Sequence, residues 1–338
     1  MAAPPRNRAM TDGTGRPDEF GFIATYLAPL AEGCEGALGL KDDAALFSVP
    51  PGQSAVVTSD ALIAGTHFRI TDPADSQGAK ALGVNLSDLA SMGATPLGYT
   101  LILALPPDWT TDWAQGFTAG LAEYQDRYGI KLLGGDTVAI DGPLTIGVTA
   151  IGSVPGGGQL TRSGAAAGDD VWVSGTIGDA ALALALSDRA GRLDAPDYAH
   201  LLTRFERPQP RLALGRNLIG LASAAIDVSD GLAADLGHLG RASGIGAVIN
   251  VESLPLSGAA RRCIEKEELS AEIVLNGGDD YELLFTAPPQ SSGAILAAAE
   301  KSECAVSRIG NTNDGDSFRF IGKSGEDIDL ETSGWTHF

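Results

Sequence analysis

The sequence predicts a two-domain protein of mixed α/β architecture. Three observations point there. At about 150 residues per domain, 338 residues suggest two cores. Apolar residues recur at helical and at strand period, in alternation, along most of the chain. A run of Val154, Pro155 and three glycines, 154–158, separates two such stretches.

From the N-terminus, residues 1–17 are rich in Pro and Gly, lack an apolar core and read as a disordered tail, not a secretory leader. Residues 18–30 carry Phe20, Ile23, Leu27 and Leu30 at helical spacing, with Asp18 placed to cap them. A β-rich run follows at 54–60. The stretch 76–92 is helical, with Ala79, Leu82, Leu86, Leu89 and Ala90 along one side. A strand at 99–105 ends at Pro106-Pro107. Trp113, Phe117, Leu121 and Tyr124 mark a helix over 111–128. Strands at 130–133 and 144–151 flank a loop, GGDTVAIDGP. Beyond the boundary, helices are predicted at 179–190, 210–224, 229–242 and 291–302. The strands of that half fall at 170–173, 224–228, 247–251, 281–286 and 305–309. The domains are therefore 18–153 and 154–338.

Composition narrows the function. A hydrophobic fraction of 44% excludes global disorder. No apolar run reaches the ~18 residues of a membrane span. A net charge of −20 opposes nonspecific binding to nucleic acid or anionic membrane. Cys34, Cys263 and Cys304 have no CxxC spacing, which argues against a zinc knot. So sparse and odd a set suits a reducing compartment, and the expected location is the cytoplasm.

The chemistry concentrates in aspartates at strand ends and glycine turns. They are Asp42-Asp43, Thr58-Ser59-Asp60, Asn85 with Asp88, Gly134-Gly135-Asp136-Thr137, Asp227 with Ser229-Asp230-Gly231, and Gly277-Gly278-Asp279-Asp280. Singly, each is an ordinary turn or helix-cap signal. Together, with few lysines or arginines beside them, they imply converging negative charge. Two such charges about 4 Å apart repel by about 4 kcal/mol at an effective dielectric near 20, so cations belong between them. Hard oxygen donors suit Mg²⁺, which commonly bridges carboxylates and substrate phosphates. Asn85 and Asp88 share a helix face, and Asp88 at the edge of the apolar stripe needs a partner. Free N–H groups where Ser229-Asp230-Gly231 opens a helix favour an anion. Arg162 is suited to a phosphate or to solvent, and His67 to a substrate phosphate or to the core. Neither a Walker A sequence nor GxGxxG is present.

Eight ordered segments resemble the thiamine-monophosphate kinase family, in the superfamily of aminoimidazole-ribonucleotide synthetase. They are KDDAALF (41–47), VTSDALIAGTHF (57–68), KALGVNLSDLASMGATP (80–96), LLGGDT (132–137), LTRSGAAAGD (160–169), AIDVSDGLAADLGHL (225–239), LNGGDDYELLFTAP (275–288) and GWTHF (334–338). The resemblance implies transfer of the γ-phosphoryl of ATP to thiamine monophosphate, the last step toward thiamine diphosphate. It implies a homodimer joined through N-terminal sheets, several Mg²⁺ ions, ATP as co-substrate and K⁺ as a further candidate. Carried over by motif, Asp43, Thr58, Ser59, Asp60, Asp88, Asp136, Asp227 and Asp230 would bind Mg²⁺. Tyr128, Gly135, Asp136, Arg162 and Ser229 would bind ATP, and His67, Asp279 and Trp335 the thiamine phosphate. No general base is expected, because the acceptor is already an anionic phosphate oxygen. Two departures stand out: Lys41 replaces a family glycine, and Asp279 replaces a glutamate one methylene longer. The rival readings are another ATP-using member, such as selenophosphate synthetase, and a non-catalytic nucleotide- or cation-binding protein. Cys34 lacks the glycine-rich setting that selenophosphate chemistry would need, and the ending GWTHF favours the thiamine enzyme.

Overall fold

Asp18 caps α1 (Glu19–Phe22) as predicted, its carboxylate accepting the Gly21 N–H at 2.8 Å. The computed structural model describes residues 16–192, 194–267 and 269–330. Of the predicted tail, 1–15 lie outside the described residues; Arg16 donates to the Pro107 and Trp109 carbonyls and lies over the Trp109 ring. The single helix expected over 18–30 is broken. It passes into a π turn at Ile23–Leu27 and a 3₁₀ turn at Ala28–Ala31. Pro29 has no N–H for the ladder, and the π step rotates the stripe. Phe22, Tyr26, Leu27 and Leu30 are buried, whereas Phe20 is 78% exposed.

The chain forms two compact units that interleave in sequence. One takes 1–48, 59–82 and 96–151; the other takes 49–58, 83–95 and 152–338. The first sheet is built from β1 (Gln53–Ile63), β2 (Thr95–Leu105), β3 (Leu132–Ala139) and β4 (Thr145–Pro155), in the order β1-β4-β2-β3. Helices α2 (Ala74–Ser91) and α3 (Thr111–Tyr128) belong to this half of the sequence. Thr110 caps α3 by accepting the Trp113 N–H, and Gly129 ends it in the left-handed conformation. Phe117, Leu121 and Tyr124 are buried as the stripe predicts.

The segment read as a loop, GGDTVAIDGP, is mostly strand. β3 runs through Gly134–Ala139 and pairs parallel with β2, placing Leu101 beside Gly135 and Ile102 beside Asp136. Its two glycines hide the strand from a propensity reading. Gly135 has φ +156°, and a Cβ there would lie 1.8 Å from the Leu101 carbonyl oxygen. Only glycine allows this pairing.

The second sheet has six strands: β5 (Asp170–Ser174), β6 (Ala224–Asp227), β7 (Gly246–Asn250), β8 (Leu283–Ala287), β9 (Val306–Asn313) and β10 (Phe318–Ile321). Their order is β10-β7-β9-β5-β8-β6, antiparallel except for the parallel β10–β7 pair. Strands β5, β6 and β8 are buried along their whole length. They pack with α7 (Leu232–Ser243) into a core containing Val171, Ile226, Leu236, Leu239, Leu284 and Ile309. Burying each such side chain contributes roughly 1.5–3 kcal/mol before ordering costs.

The other helices of this half are α4 (Asp179–Ala185), α5 (Ala195–Glu206), α6 (Leu212–Asn217), α8 (Gly258–Glu267), α9 (Glu272–Asn276) and α10 (Ser292–Lys301). Leu182, Leu186, Leu201, Phe205 and Ala260 form a core shared by α4, α5 and α8. Two predicted helices are shorter than expected: α4 gives way to a 3₁₀ turn at Ser187–Arg192, and α6 stops at Asn217. The sequence reading missed α5, α8, α9 and β10. For α5 a signal existed, since Pro196 stands in its first turn behind Asp194.

Candidate functional site

The predicted residues of the unit containing the six-stranded sheet are drawn together by short polar contacts. Thr58, on β1, donates its hydroxyl to the Asp88 carboxylate on α2. One residue before Asp88, Ser87 donates to Asp227 at 2.6 Å, at the end of β6. Asp227 is only 4% exposed, and a hydroxyl–carboxylate bond of this length offsets part of its desolvation. α2 thus presents Ser87 to the acidic end of β6 and Asp88 to a hydroxyl on β1. Ser87 was missed because Ser in NLSDLAS reads as a helix-interior residue; its place between Asn85 and Asp88 was the available signal.

Beyond Asp227 the chain turns through Val228-Ser229-Asp230-Gly231 into α7. The N–H groups of Ser229 and Asp230, expected to face an anion, are instead taken by Asp235, whose Oδ2 accepts both at 3.0 Å. Those two N–H groups are therefore not open to an anion. Burial, together with the charge of Asp230, pushes the Asp235 carboxyl up to about 7. Arg162 is exposed in the same unit, its carbonyl accepting from the Ser243 hydroxyl at 2.9 Å.

The GGDDYE segment packs against this turn. The Asp279 N–H donates to the Ser229 carbonyl at 2.9 Å, and the Tyr281 N–H to Val228 at 2.8 Å. Asp279 and Tyr281 both adopt left-handed backbone, φ +68° and +51°, which costs a non-glycine residue about 1 kcal/mol or more. The Tyr281 hydroxyl donates to Asp279 Oδ1 at 2.9 Å and orients it.

Below the segment lies a buried polar network that sequence reasoning did not single out. The Gly178 N–H donates to both oxygens of Asp280 at 2.9 Å. Glu282 accepts from Arg204 at 2.7 Å, from Arg211 and from Ser174. Burial raises the Asp280 carboxyl well above its usual range. Arg204 Nη1 finds no partner among the described residues.

The predicted residues of the other unit are placed as follows. Asp43 is exposed in the stretch before β1. Ser59 shares a hydrogen bond with Thr149 at 2.9 Å, and Asp60 follows half-buried on the same strand. Asp136, exposed on β3, accepts the Thr137 N–H at 3.0 Å. His67 Nδ1 accepts the Ile63 N–H at 3.0 Å, which fixes the ring beside its own turn. Tyr128 ends α3 against Tyr124, with Arg127 over its ring. Gly135 has the backbone role described above. Trp335 lies outside the described residues. Among the described residues, no three carboxylate, imidazole or thiolate groups form a ready metal cage.

Two compact units of mixed helix and sheet, each carrying acidic turns, define a class. The model of AIR synthase related protein, N-terminal domain, matches residues 41–154, and that of AIR synthase related protein, C-terminal domain, matches 166–323. Thiamine-monophosphate kinase of Escherichia coli (strain K12) is 43% identical over 324 residues, covering 95% of this chain and 98% of that one. Thiamine-monophosphate kinase from Stenotrophomonas maltophilia K279a superposes with a TM-score of 0.82 at 42% identity, covering 92% of this chain and 98% of that one. AaThiL complexed with AMPPCP and TMP gives a TM-score of 0.75 at 30% identity, covering 95% of this chain and 97% of that one. The chain belongs to the thiamine-monophosphate kinase family of AIR synthase related proteins.

Proposed function

We propose that this protein transfers the γ-phosphoryl group of ATP to thiamine monophosphate, releasing ADP and thiamine diphosphate. The observation that carries the reading is the near full-length match to AaThiL, a protein holding an ATP analogue and thiamine monophosphate together. Residues 18–153 would form the ATP- and metal-binding, dimerising domain and 154–338 the C-terminal domain.

The donor chemistry fits Mg²⁺. Thr58, Asp88 and Asp227 offer oxygen only, the hard donor type that Mg²⁺ takes. Asp43, Thr58, Ser59, Asp60, Asp88, Asp136, Asp227 and Asp230 are the residues that would hold it. When bound, Mg²⁺ would neutralise phosphate charge and so relieve the repulsion between two polyanionic substrates. K⁺ remains a further candidate cation.

The chain's own residues position and orient. Gly135, Asp136, Arg162 and Ser229, with Tyr128, would bind ATP; the Arg162 guanidinium suits two phosphate oxygens at once. Asp279, oriented by Tyr281, would meet the thiamine end with His67 and Trp335. The acceptor phosphate is anionic near neutral pH, so no side chain need remove a proton, and transfer is direct and in line. A stable aspartyl-phosphate during turnover would contradict this.

A homodimer is part of the proposal. Val57 on β1, Ile102 on β2 and Val138 on β3 are large apolar side chains left exposed, Ile102 at 51% and Val138 at 45%. Such an uncovered sheet face suits a second copy of the chain. No helix among the described residues is long and apolar enough to cross a membrane.

The decisive assay is ADP formation from ATP and Mg²⁺ with thiamine monophosphate, without it, and with free thiamine. ADP that rises only with the monophosphate, matched by thiamine diphosphate, supports the reading. ADP formed independently of it points to another ATP-using member of the superfamily.

A further inference from the structure

We infer that Asp235 is a positioning residue whose single carboxylate oxygen supports both substrate-facing loops at once. The inference rests on the reading above, in which Ser229 and Asp230 face ATP and its cations and Asp279 faces the thiamine phosphate.

Asp235 lies in the first turn of α7 and is 2% exposed. Its Oδ2 accepts the N–H groups of both Ser229 and Asp230 at 3.0 Å. Two consecutive amides converging on one oxygen fix the planes of two consecutive peptides, and hence the direction in which the Ser229 and Asp230 side chains leave the turn. The other face of the same turn carries the second loop. The Ser229 carbonyl accepts from Asp279 at 2.9 Å, and the carbonyl and N–H of Val228 pair with Tyr281 and Glu282 at 2.8 Å. The Ser229 peptides are thus held on one side by Asp235 and grip Asp279 on the other.

The contact is too close to tolerate sliding. A Cβ on Gly278 would lie 2.1 Å from the Ser229 carbonyl oxygen, and one on Gly231 2.6 Å from that of Asn276. The left-handed backbone at Asp279 and Tyr281 persists because these pairings outweigh its strain. Removing the Asp235 oxygen would leave two part-buried N–H groups without that acceptor, and the turn would move to satisfy them with water. Both loops would move with it.

A residue that merely stabilised the fold would lower thermal stability and leave Michaelis constants unchanged. The test is therefore kinetic and local. Asp235→Ala is expected to raise KM for ATP and for thiamine monophosphate each by about tenfold, the worth of one hydrogen bond to a charged group. Hydrogen–deuterium exchange should quicken in peptides covering both 228–231 and 278–282. Asp235→Asn keeps an acceptor oxygen in place and should bring both constants back to within about threefold of wild type. Asp235→Glu moves the oxygen by a methylene and should raise both constants. The inference is overturned if the alanine variant melts earlier with both constants and the 278–282 exchange unchanged, or if only one constant moves. Should the alanine variant fail to fold, equal constants in the Asn and Glu variants overturn it. Wild-type protein in the same assay separates the two levels. If it does not phosphorylate thiamine monophosphate, the functional reading fails, and the paired exchange of the two segments alone decides whether Asp235 couples them.

Discussion

Asp88 and Asp227 each accept a hydroxyl hydrogen bond, from Thr58 and Ser87 respectively. This arrangement lowers the cost of holding a carboxylate half or fully buried. Asp88→Asn removes the charge and keeps the shape. It should lower kcat/KM by at least about a hundredfold, in the range of other losses of preorganised charge, with circular dichroism and melting unchanged. Asp235 titrates in the opposite sense to a salt-bridged carboxylate. Its folded pKa is raised from 3.8 to about 7, so the folded state binds the proton more tightly than the unfolded chain. Its contribution to stability is therefore favourable at low pH and is lost as pH climbs through that window. Asp235→Asn removes this dependence. Its melting temperature should exceed that of wild type at about pH 8 and converge with it toward about pH 5. A gap that widened on acidification would refute the assignment.

Elements were legible where the sequence was periodic and obscure where glycine or polar residues carried the structure. The stripe of Trp113, Phe117, Leu121 and Tyr124 gave α3 its bounds, Thr111–Tyr128, to the residue. β3 was hidden because Gly134, Gly135 and Asp136 disfavour strands on their own, and only pairing with β2 makes them one. Asp43, Thr58, Asp88, Asp136, Asp227 and Asp230 stood out as acidic turns, whereas Ser87 and Asp235 did not. The Ser87 contact spans 140 residues in sequence, so its partner is set by the tertiary fold; the Asp235 contact spans six and lies hidden in a helix start. Gly135→Ala tests the β2–β3 pairing. A Cβ at 1.8 Å from a carbonyl oxygen forces the strands apart, and destabilisation of several kcal/mol is expected in urea unfolding. A change under about 0.5 kcal/mol, ordinary for a surface substitution, would show that the strand tolerates the shift.

At the scale of the whole molecule, the uncovered face of the first sheet predicts assembly. On the proposal that a second copy covers this face, replacing Ile102 and Val138 together by glutamate should leave a monomer in light scattering, because buried like charges would oppose the contact. An unchanged mass would place the interface elsewhere. The interleaving of the two units constrains how the gene can be divided. Residues 49–58 and 83–95 belong to the same compact body as 152–338. A fragment beginning at 154 would carry Asp227 without Ser87, and α6 without Ala90, whose carbonyl oxygen would lie 2.0 Å from a Cβ added at Gly215. Translated alone, it would lack the Ser87 hydrogen bond to Asp227 and the helix packed on α6. The halves should become functional only by complementation, when both are made in the same cell.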